Sequence, residues 1–128
     1  MIPAPRLSVL LPVQRDTRRA ATAPGTSLGP LADALARELE PLVGAHAQGV
    51  LPIPDGKARL TRIGGRCPVH GVLLDFNPWE PHRHRCTTCG RDWRGADHDG
   101  WWLVGAHLWG MERAVHAALL FALRGDRR

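Results

Sequence analysis

Apolar residues along the chain predict two helices on either side of a region rich in turn-forming residues. The first helix is predicted to begin near Pro30. Its apolar residues recur at three- and four-residue steps, which places them on one stripe: Leu31, Leu35, Leu39 and Leu42. Pro41 is expected to bend or end this helix. Residues 101–123 predict a second helix that is apolar on most sides, as in helices packed between others.

The rest of the chain predicts less regular structure. Residues 5–11 are predicted to be extended, and residues 13–21 to form a polar helix that ends before Pro24. The apolar run at 7–13 has only seven residues, contains Pro12 and lacks a convincing small-residue cleavage site, so no signal peptide is predicted. Prolines and glycines between positions 52 and 65 indicate a connector with at most a short strand over residues 58–63.

Two short pairs of metal-ligating residues carry most of the information in the chain. They are Cys67-Pro68-Val69-His70-Gly71 and Cys86-Thr87-Thr88-Cys89-Gly90, and 15 residues separate the pairs. The gap within each pair lets one tight turn present both side chains to the same ion, and the longer gap suits a hairpin that closes the site. The glycine after each pair supplies the positive φ that folds the backbone over the metal. The pattern predicts a structural zinc ion with a filled shell of ligands: Cys67, His70, Cys86 and Cys89.

Two alternatives to this ligand set stay open. His82 and His84 precede the second pair, and either one has the geometry to replace His70, although the spacing within the first pair favours His70. The simpler interpretation of His82 and His84 is that they are solvated among the neighbouring arginines. Three cysteines and one histidine also hold iron–sulfur clusters, but the usual cluster motifs space their ligands differently.

A zinc ribbon is the structure predicted around these pairs. Residues 72–74 form a strand, residues 77–79 turn the chain back, and residues 92–93 form the closing strand, with Trp93 covering the metal. Residues 95–100 predict a polar loop in which His98 is solvated. The chain then divides into an N-terminal helical arm and connector (1–58), a zinc ribbon (59–98) and a helical segment (99–128). The predicted fold class is mainly α with a small β hairpin.

Composition restricts the cellular compartment and the binding partners only in part. The metal site uses all three cysteines, which leaves no disulfide and favours a reducing, cytoplasmic compartment, with a secreted or periplasmic location still open. The net charge of +5 suits nucleic acid and acidic polysaccharide equally. Residues 101–123 are long enough to span a bilayer, but charged and titratable side chains interrupt them, so no membrane span is predicted: His107, Glu112, Arg113 and His116.

The order of these features resembles the N-terminal region of heparinase II/III-like polysaccharide lyases. The matching pieces are Pro5-Arg6-Leu7, the 31–42 helix, the ribbon that ends at Cys89-Gly90, and the helix that closes at Ala122-Leu123-Arg124-Gly125-Asp126. The resemblance implies a ribbon-like insertion before an incomplete (α/α) toroid, with residues 99–128 holding the first helix of a truncated toroid. It also implies a parent enzyme that cleaves acidic, uronic-acid-containing polysaccharides by β-elimination.

The chain lacks the catalytic residues of that family. It contains no tyrosine, and the catalytic part of the family lies downstream of residue 128, so no catalytic residue is carried over and this chain alone is predicted to be inactive. A helix without its toroid partners is expected to expose an apolar patch that promotes association: Leu103, Trp109, Leu119, Leu120 and Phe121.

Two other functions compete with the lyase interpretation. The first is a small basic zinc-ribbon module that binds nucleic acid or protein, in which Trp79 or Trp93 stacks a base. The arginines around its metal site are Arg83, Arg85, Arg91 and Arg94. The second is a non-catalytic accessory protein derived from a lyase gene.

Overall fold

A computed structural model describes residues 20, 23, 25–26, 28–59, 61 and 63–124. Apart from Ala20, the predicted segments 5–11 and 13–21 lie outside these residues. The described chain is mainly helical with one small antiparallel hairpin. It forms two compact units, one made of residues 51–112 and the other of the described residues up to Val50 together with those from Arg113 onward. The predicted division at residues 58 and 98 stays a prediction.

Helix α1 spans Gly29–Ala47, with Pro30 in its first turn. Its start agrees with the predicted one. Of the two effects expected of Pro41, ending the helix is wrong, because six further helical residues follow that proline, and bending it stays a prediction. A proline inside a helix costs about 3 kcal/mol. Burial of Leu39 and Ala45, on either side of Pro41, offsets that cost. The apolar stripe is buried at Leu39 but exposed at its N-terminal end, where Leu31 is 69% accessible.

Helix α2 spans Ala96–Arg124 and therefore starts five residues before the predicted position 101. The residues predicted as a polar loop form its first turn. Asp97 and Asp99 lie in that turn, where acidic side chains interact favourably with the helix dipole. Within the described part of the chain, neither helix has the length and apolar character needed to cross a membrane.

Ion pairs connect α1 to the last turns of α2. The carboxylate of Glu38 lies 2.7 Å from Arg113 and 3.4 Å from the ring of His116. Asp33 accepts a hydrogen bond from Arg124 at 2.9 Å. Of the apolar patch predicted on α2, Leu119 and Phe121 are exposed, Leu103 and Trp109 are half-buried, and Leu120 is buried. The predicted exposure is therefore confirmed only in part.

The hairpin lies within the unit formed by residues 51–112. Strand β1 (His84–Arg85) pairs antiparallel with β2 (Asp92–Trp93), in a register that places His84 opposite Trp93. The predicted closing strand at 92–93 is thus confirmed. The predicted strand at 72–74 is reduced to two isolated bridges, Arg66 to Leu73 and Leu74 to Cys86. The described residues among 58–63 are not in a strand.

Aromatic rings fix the chain after residue 75 against α2. Phe76 contacts Trp101 edge-on and Trp102 at a tilt, with centroids 6.3 Å away in both pairs. The indole of Trp102 donates a hydrogen bond to the carbonyl of Asn77 at 2.7 Å. A Cβ on Gly105 would come within 2.8 Å of the Phe76 ring, so the absence of a side chain there lets that ring lie on the helix.

Two glycines let the segment before the first metal-ligating pair approach the first turns of α2. A Cβ on Gly64 would lie 2.1 Å from the carbonyl oxygen of Asp97, and one on Gly65 would lie 2.5 Å from the indole nitrogen of Trp101. His98, predicted to be a solvated loop residue, is half-buried in the helix and hydrogen-bonds the carbonyl of Gly64. The ring of His98 and the backbone of this loop therefore fix each other.

We expect Gly65→Ala to destabilise the protein by about 1–3 kcal/mol, the usual cost of forcing an extra carbon into a packed site. The matched control is Gly100→Ala, because Gly100 precedes Trp101 in α2 and a Cβ on it would meet no neighbouring atom within 4 Å. That substitution should be neutral or stabilising by about 0.4–1 kcal/mol. Urea unfolding of the metal-loaded proteins, followed by tryptophan fluorescence, measures both. Equal midpoints for the two variants would show that Trp101 moves aside at no cost.

Candidate metal centre

The first metal-ligating pair lies in a tight turn that the backbone closes by itself. The amide of Gly71 donates to the carbonyl of Cys67 at 2.8 Å, and the amide of Cys67 donates to the carbonyl of Val72 at 2.8 Å. Gly71 has a φ of 67°, in the left-handed region that side chains disfavour. The turn therefore presents Cys67 and His70 on the same side. We call residues 66–72 the first knuckle.

The second pair repeats this geometry 19 positions further along the chain. The amide of Gly90 donates to the carbonyl of Cys86 at 2.8 Å, and the amide of Cys86 donates to the carbonyl of Arg91 at 2.9 Å. Gly90 has a φ of 70°. We call residues 85–91 the second knuckle. Its backbone hydrogen bonds match those of the first one by one, so the two turns present equivalent pairs of side chains.

The two knuckles bring all four predicted ligands together. The thiol and imidazole donor atoms of Cys67, His70, Cys86 and Cys89 all lie within 4.8 Å of one another, close enough to hold a metal ion. Nδ1 of His70 is 3.4 Å from Sγ of Cys67 and 3.8 Å from Sγ of Cys86. The Nδ1 atom of His70 is therefore the one that faces the thiols, and it is the ligand atom that this arrangement selects.

Burial divides the ligands into an inner and an outer pair. Cys67 and Cys86, the first ligand of each knuckle, are almost completely buried, whereas His70 and Cys89 are exposed. The two inner cysteines form the centre of the core cluster with Leu74. Trp93, predicted to cover the metal, packs against this cluster, and the guanidinium of Arg91 lies 4.8 Å from the Trp93 ring centroid. The two inner cysteines are thus also part of the core of this unit.

The surroundings of Cys67 and Cys89 shift the pKa values of these two thiols in opposite directions. Burial raises the pKa of the Cys67 thiol, but hydrogen bonds from the amide and ring of His70, from the amide of Val69 and from Cys86 lower that pKa to about 6. Cys67 is therefore mostly thiolate at neutral pH, the form that binds metals. The amide of Arg91 lowers the pKa of Cys89, but desolvation and the neighbouring thiols outweigh it and raise that pKa. Metal binding at Cys89 must then release a proton.

His82 and His84 are not among the side chains that converge, and they share one carboxylate. Nδ1 of His82 lies 2.8 Å from one oxygen of Asp99, and Nε2 of His84 lies 2.8 Å from the other. His82 is exposed, as predicted, but His84 is fully buried rather than solvated. Because a carboxylate only accepts, Nε2 of His84 carries the hydrogen of this bond. The geometry therefore favours His70 over both alternatives as the fourth ligand.

Sequence reasoning missed the role of Asp99. It belongs to the first turn of α2, and its two histidine partners lie 15 and 17 positions earlier in the chain. Desolvation raises the pKa of its carboxyl group, but the hydrogen bonds and charges of His84 and His82 outweigh that and lower the pKa below its usual value. The Asp99 carboxylate therefore contributes stability that is fully present above about pH 4 and is lost as the pH falls through the lowered pKa.

We expect Asp99→Ala to destabilise the protein by about 1–3 kcal/mol at neutral pH, because the buried N–H of His84 loses its acceptor. Asp97→Ala is the matched control, since Asp97 is an exposed acidic residue of the same helical turn. That control should change the free energy of unfolding by no more than about 0.5 kcal/mol. Urea titrations of the two metal-loaded variants make the comparison. Equal losses would mean that Asp99 acts only through the helix terminus.

Comparisons of the chain with protein-family models, with curated proteins and with solved structures found no match in any of the three. They therefore leave the resemblance to the polysaccharide lyases as a prediction. The functional conclusion rests on the chemistry of the four converging side chains and on what surrounds them.

Proposed function

We propose that this protein binds one zinc ion through the Sγ atoms of Cys67, Cys86 and Cys89 and through Nδ1 of His70. The ion fixes the two knuckles to each other and holds their inner cysteines in the core. Its function is then structural, in a small module that serves as a binding or scaffolding element. The convergence of four soft or borderline donors within 4.8 Å of one another carries this proposal.

The distances between donor atoms support a single tetrahedral ion. A tetrahedral zinc with usual bond lengths to sulfur and nitrogen separates a sulfur from a nitrogen ligand by about 3.6 Å. The two sulfur–nitrogen distances at His70, 3.4 and 3.8 Å, bracket that value. Thiolate and imidazole ligands in a tetrahedral arrangement favour zinc over the hard, oxygen-preferring cations. The four protein ligands leave no position open for water or substrate, which favours a structural site over a catalytic one.

Zinc content and folding test the proposal directly. The purified protein should contain one zinc per chain, and Cys86→Ser together with Cys89→Ser should remove it. Structural zinc in small modules can contribute on the order of 10 kcal/mol to folding, so chelation should unfold residues 65–93. Metal analysis and circular dichroism before and after chelation provide the measurements. Equimolar zinc that persists in the double serine variant would refute the ligand assignment.

Histidine variants provide the matched controls for the fourth ligand. His70→Cys should keep one zinc, because it converts the site to four thiolates at the same spacing. His70→Ala should lower the affinity. His82→Ala should leave zinc content unchanged, since the His82 ring pairs with Asp99 instead of the ligands. Loss of zinc in His82→Ala with retention in His70→Ala would reverse the assignment.

Nucleic-acid binding is a second candidate for which the charge distribution offers little support. Residues 51–112 carry eight Arg and Lys against seven Asp and Glu, so almost none of the net charge of +5 belongs to the metal-binding unit. Residues 1–19 alone carry four arginines and one aspartate. Three of the four arginines predicted to surround the metal already have partners within the protein. Arg83 pairs with Glu80 and Asp92. Arg85 hydrogen-bonds the carbonyl of Gly90, and the guanidinium of Arg91 lies over the ring of Trp93.

We therefore expect only weak, nonspecific binding of DNA or RNA. Phosphate contacts make affinity fall steeply with salt, so the binding expected at low salt should be lost at physiological salt. A fluorescence-anisotropy titration at two salt concentrations measures this. Sub-micromolar affinity for a defined oligonucleotide at physiological salt, abolished by alanine at Arg83, Arg85, Arg91 and Arg94 with zinc retained, would make the nucleic-acid module the better proposal.

The polysaccharide-lyase relationship remains a separate proposal. It rests on the order of sequence features alone, and it would make an acidic polysaccharide the partner of a longer parent enzyme. The absence of tyrosine from this sequence speaks against activity in the chain itself. A toroid needs more helices than α1 and α2, so the toroid belongs to the same proposal.

A further inference from the structure

Each knuckle begins with an arginine whose side chain reaches back to the end of the same knuckle. Nη1 of Arg66 donates to the carbonyl oxygen of Gly71 at 2.7 Å, and Nε of Arg85 donates to the carbonyl oxygen of Gly90 at 3.3 Å. Both arginines immediately precede the inner cysteine, and both acceptors immediately follow the outer ligand. The two arginine contacts therefore occupy equivalent positions in the two knuckles, as the backbone hydrogen bonds do.

The acceptor carbonyl lies at the point where each knuckle would open. Gly71 and Gly90 are the left-handed residues that fold the chain over the ligands, with φ values of 67° and 70°. Their amides are already bonded to the inner cysteines, whereas their carbonyls face the exposed side of the turn and meet an arginine. A bond from the residue before the inner ligand to the residue after the outer ligand spans the whole turn. Opening either knuckle to release His70 or Cys89 requires that bond to break.

We propose that Arg66 and Arg85 are positioning residues of the metal centre, each of which holds its knuckle closed around the ion. The inference rests on the proposed zinc function, because it concerns how the same site keeps its metal. The two arginines slow the loss of the ion, and the four ligands remain the same. The outer ligands are the exposed ones, so the clamp acts on the side from which a chelator would approach.

The two clamps are not equally strong. The Arg66 contact is shorter than that of Arg85, and it closes the knuckle whose outer ligand is His70. Arg85 lies in β1 opposite Asp92, and its carbonyl also accepts a bond from the amide of Asp75, so its backbone is held on both sides. Loss of the Arg85 side chain therefore leaves more of the second knuckle in place. Arg66 should contribute more to metal retention than Arg85.

Zinc transfer to an excess of the chelating dye 4-(2-pyridylazo)resorcinol under native conditions tests the clamp. Arg66→Gln should transfer zinc about three- to tenfold faster than the wild type, the range expected for the loss of one ordinary, solvent-exposed hydrogen bond. Arg85→Gln should show a smaller increase. Arg66→Lys keeps a charged donor and should restore much of the slow transfer. The matched control is Arg94→Gln, because Arg94 is an exposed arginine of the same unit with no hydrogen-bond or ion-pair partner among the described residues.

A second measurement separates the clamp from a general effect on folding. The visible spectrum of the cobalt-substituted variants should match that of the wild type, because the ligands are the same. Equal transfer rates in Arg66→Gln, Arg85→Gln and Arg94→Gln would overturn the clamp while leaving the zinc site intact. Failure of the wild type to bind zinc at all would instead refute the proposed function. Should Arg66→Gln fail to fold, the comparison of Arg85→Gln with Arg94→Gln decides between the two outcomes.

Discussion

The convergence of the two knuckles on one cluster of four metal-ligating side chains is the constraint on which the structure of residues 65–93 depends. The regular hydrogen bonding in this segment amounts to two strands of two residues and two isolated bridges. A sheet of that size is not stable in water by itself. The core beneath it consists of two ligand thiols and Leu74, surrounded by half-buried apolar side chains. Because the inner ligands are also the core, the proposed ion and the hydrophobic packing stabilise the same arrangement.

This arrangement extends to the first turns of α2. His84 lies two residues before an inner ligand, and it is buried between the edge of Trp101 and the carboxylate of Asp99. Gly65 lies two residues before the other inner ligand, and its lack of a side chain makes room for the same indole. Trp101 therefore contacts a residue close in sequence to each of the two inner cysteines, His84 in one case and Gly65 in the other. Residues that neighbour the inner cysteines in sequence thus position the N-terminal turns of α2. A change in the backbone of either knuckle would therefore displace those turns.

Local patterns predicted the parts of this protein that local chemistry determines. The spacing within each pair and the following glycine fix a turn, so the convergence of the four metal-ligating side chains followed from the sequence. The start of α1 near Pro30 and the strand at 92–93 followed as well. The role of Asp99 did not follow, because its partners lie 15 and 17 positions away and only the folded chain brings them together. The continuation of α1 past Pro41 has the same cause: burial of Leu39 and Ala45 outweighs a local signal to stop.

The difference in burial between inner and outer ligands explains why the two knuckles tolerate different residues at the outer position. An inner ligand must fit the core, and both inner positions are cysteine, a small side chain that packs well when buried. An outer ligand needs only to reach the proposed ion from the exposed side, where an imidazole and a thiolate are both accommodated. Replacing a thiolate with a neutral imidazole would also reduce the negative charge gathered around the proposed ion. One histidine at an exposed position therefore limits repulsion among the ligands without disturbing the packing that the two inner cysteines provide.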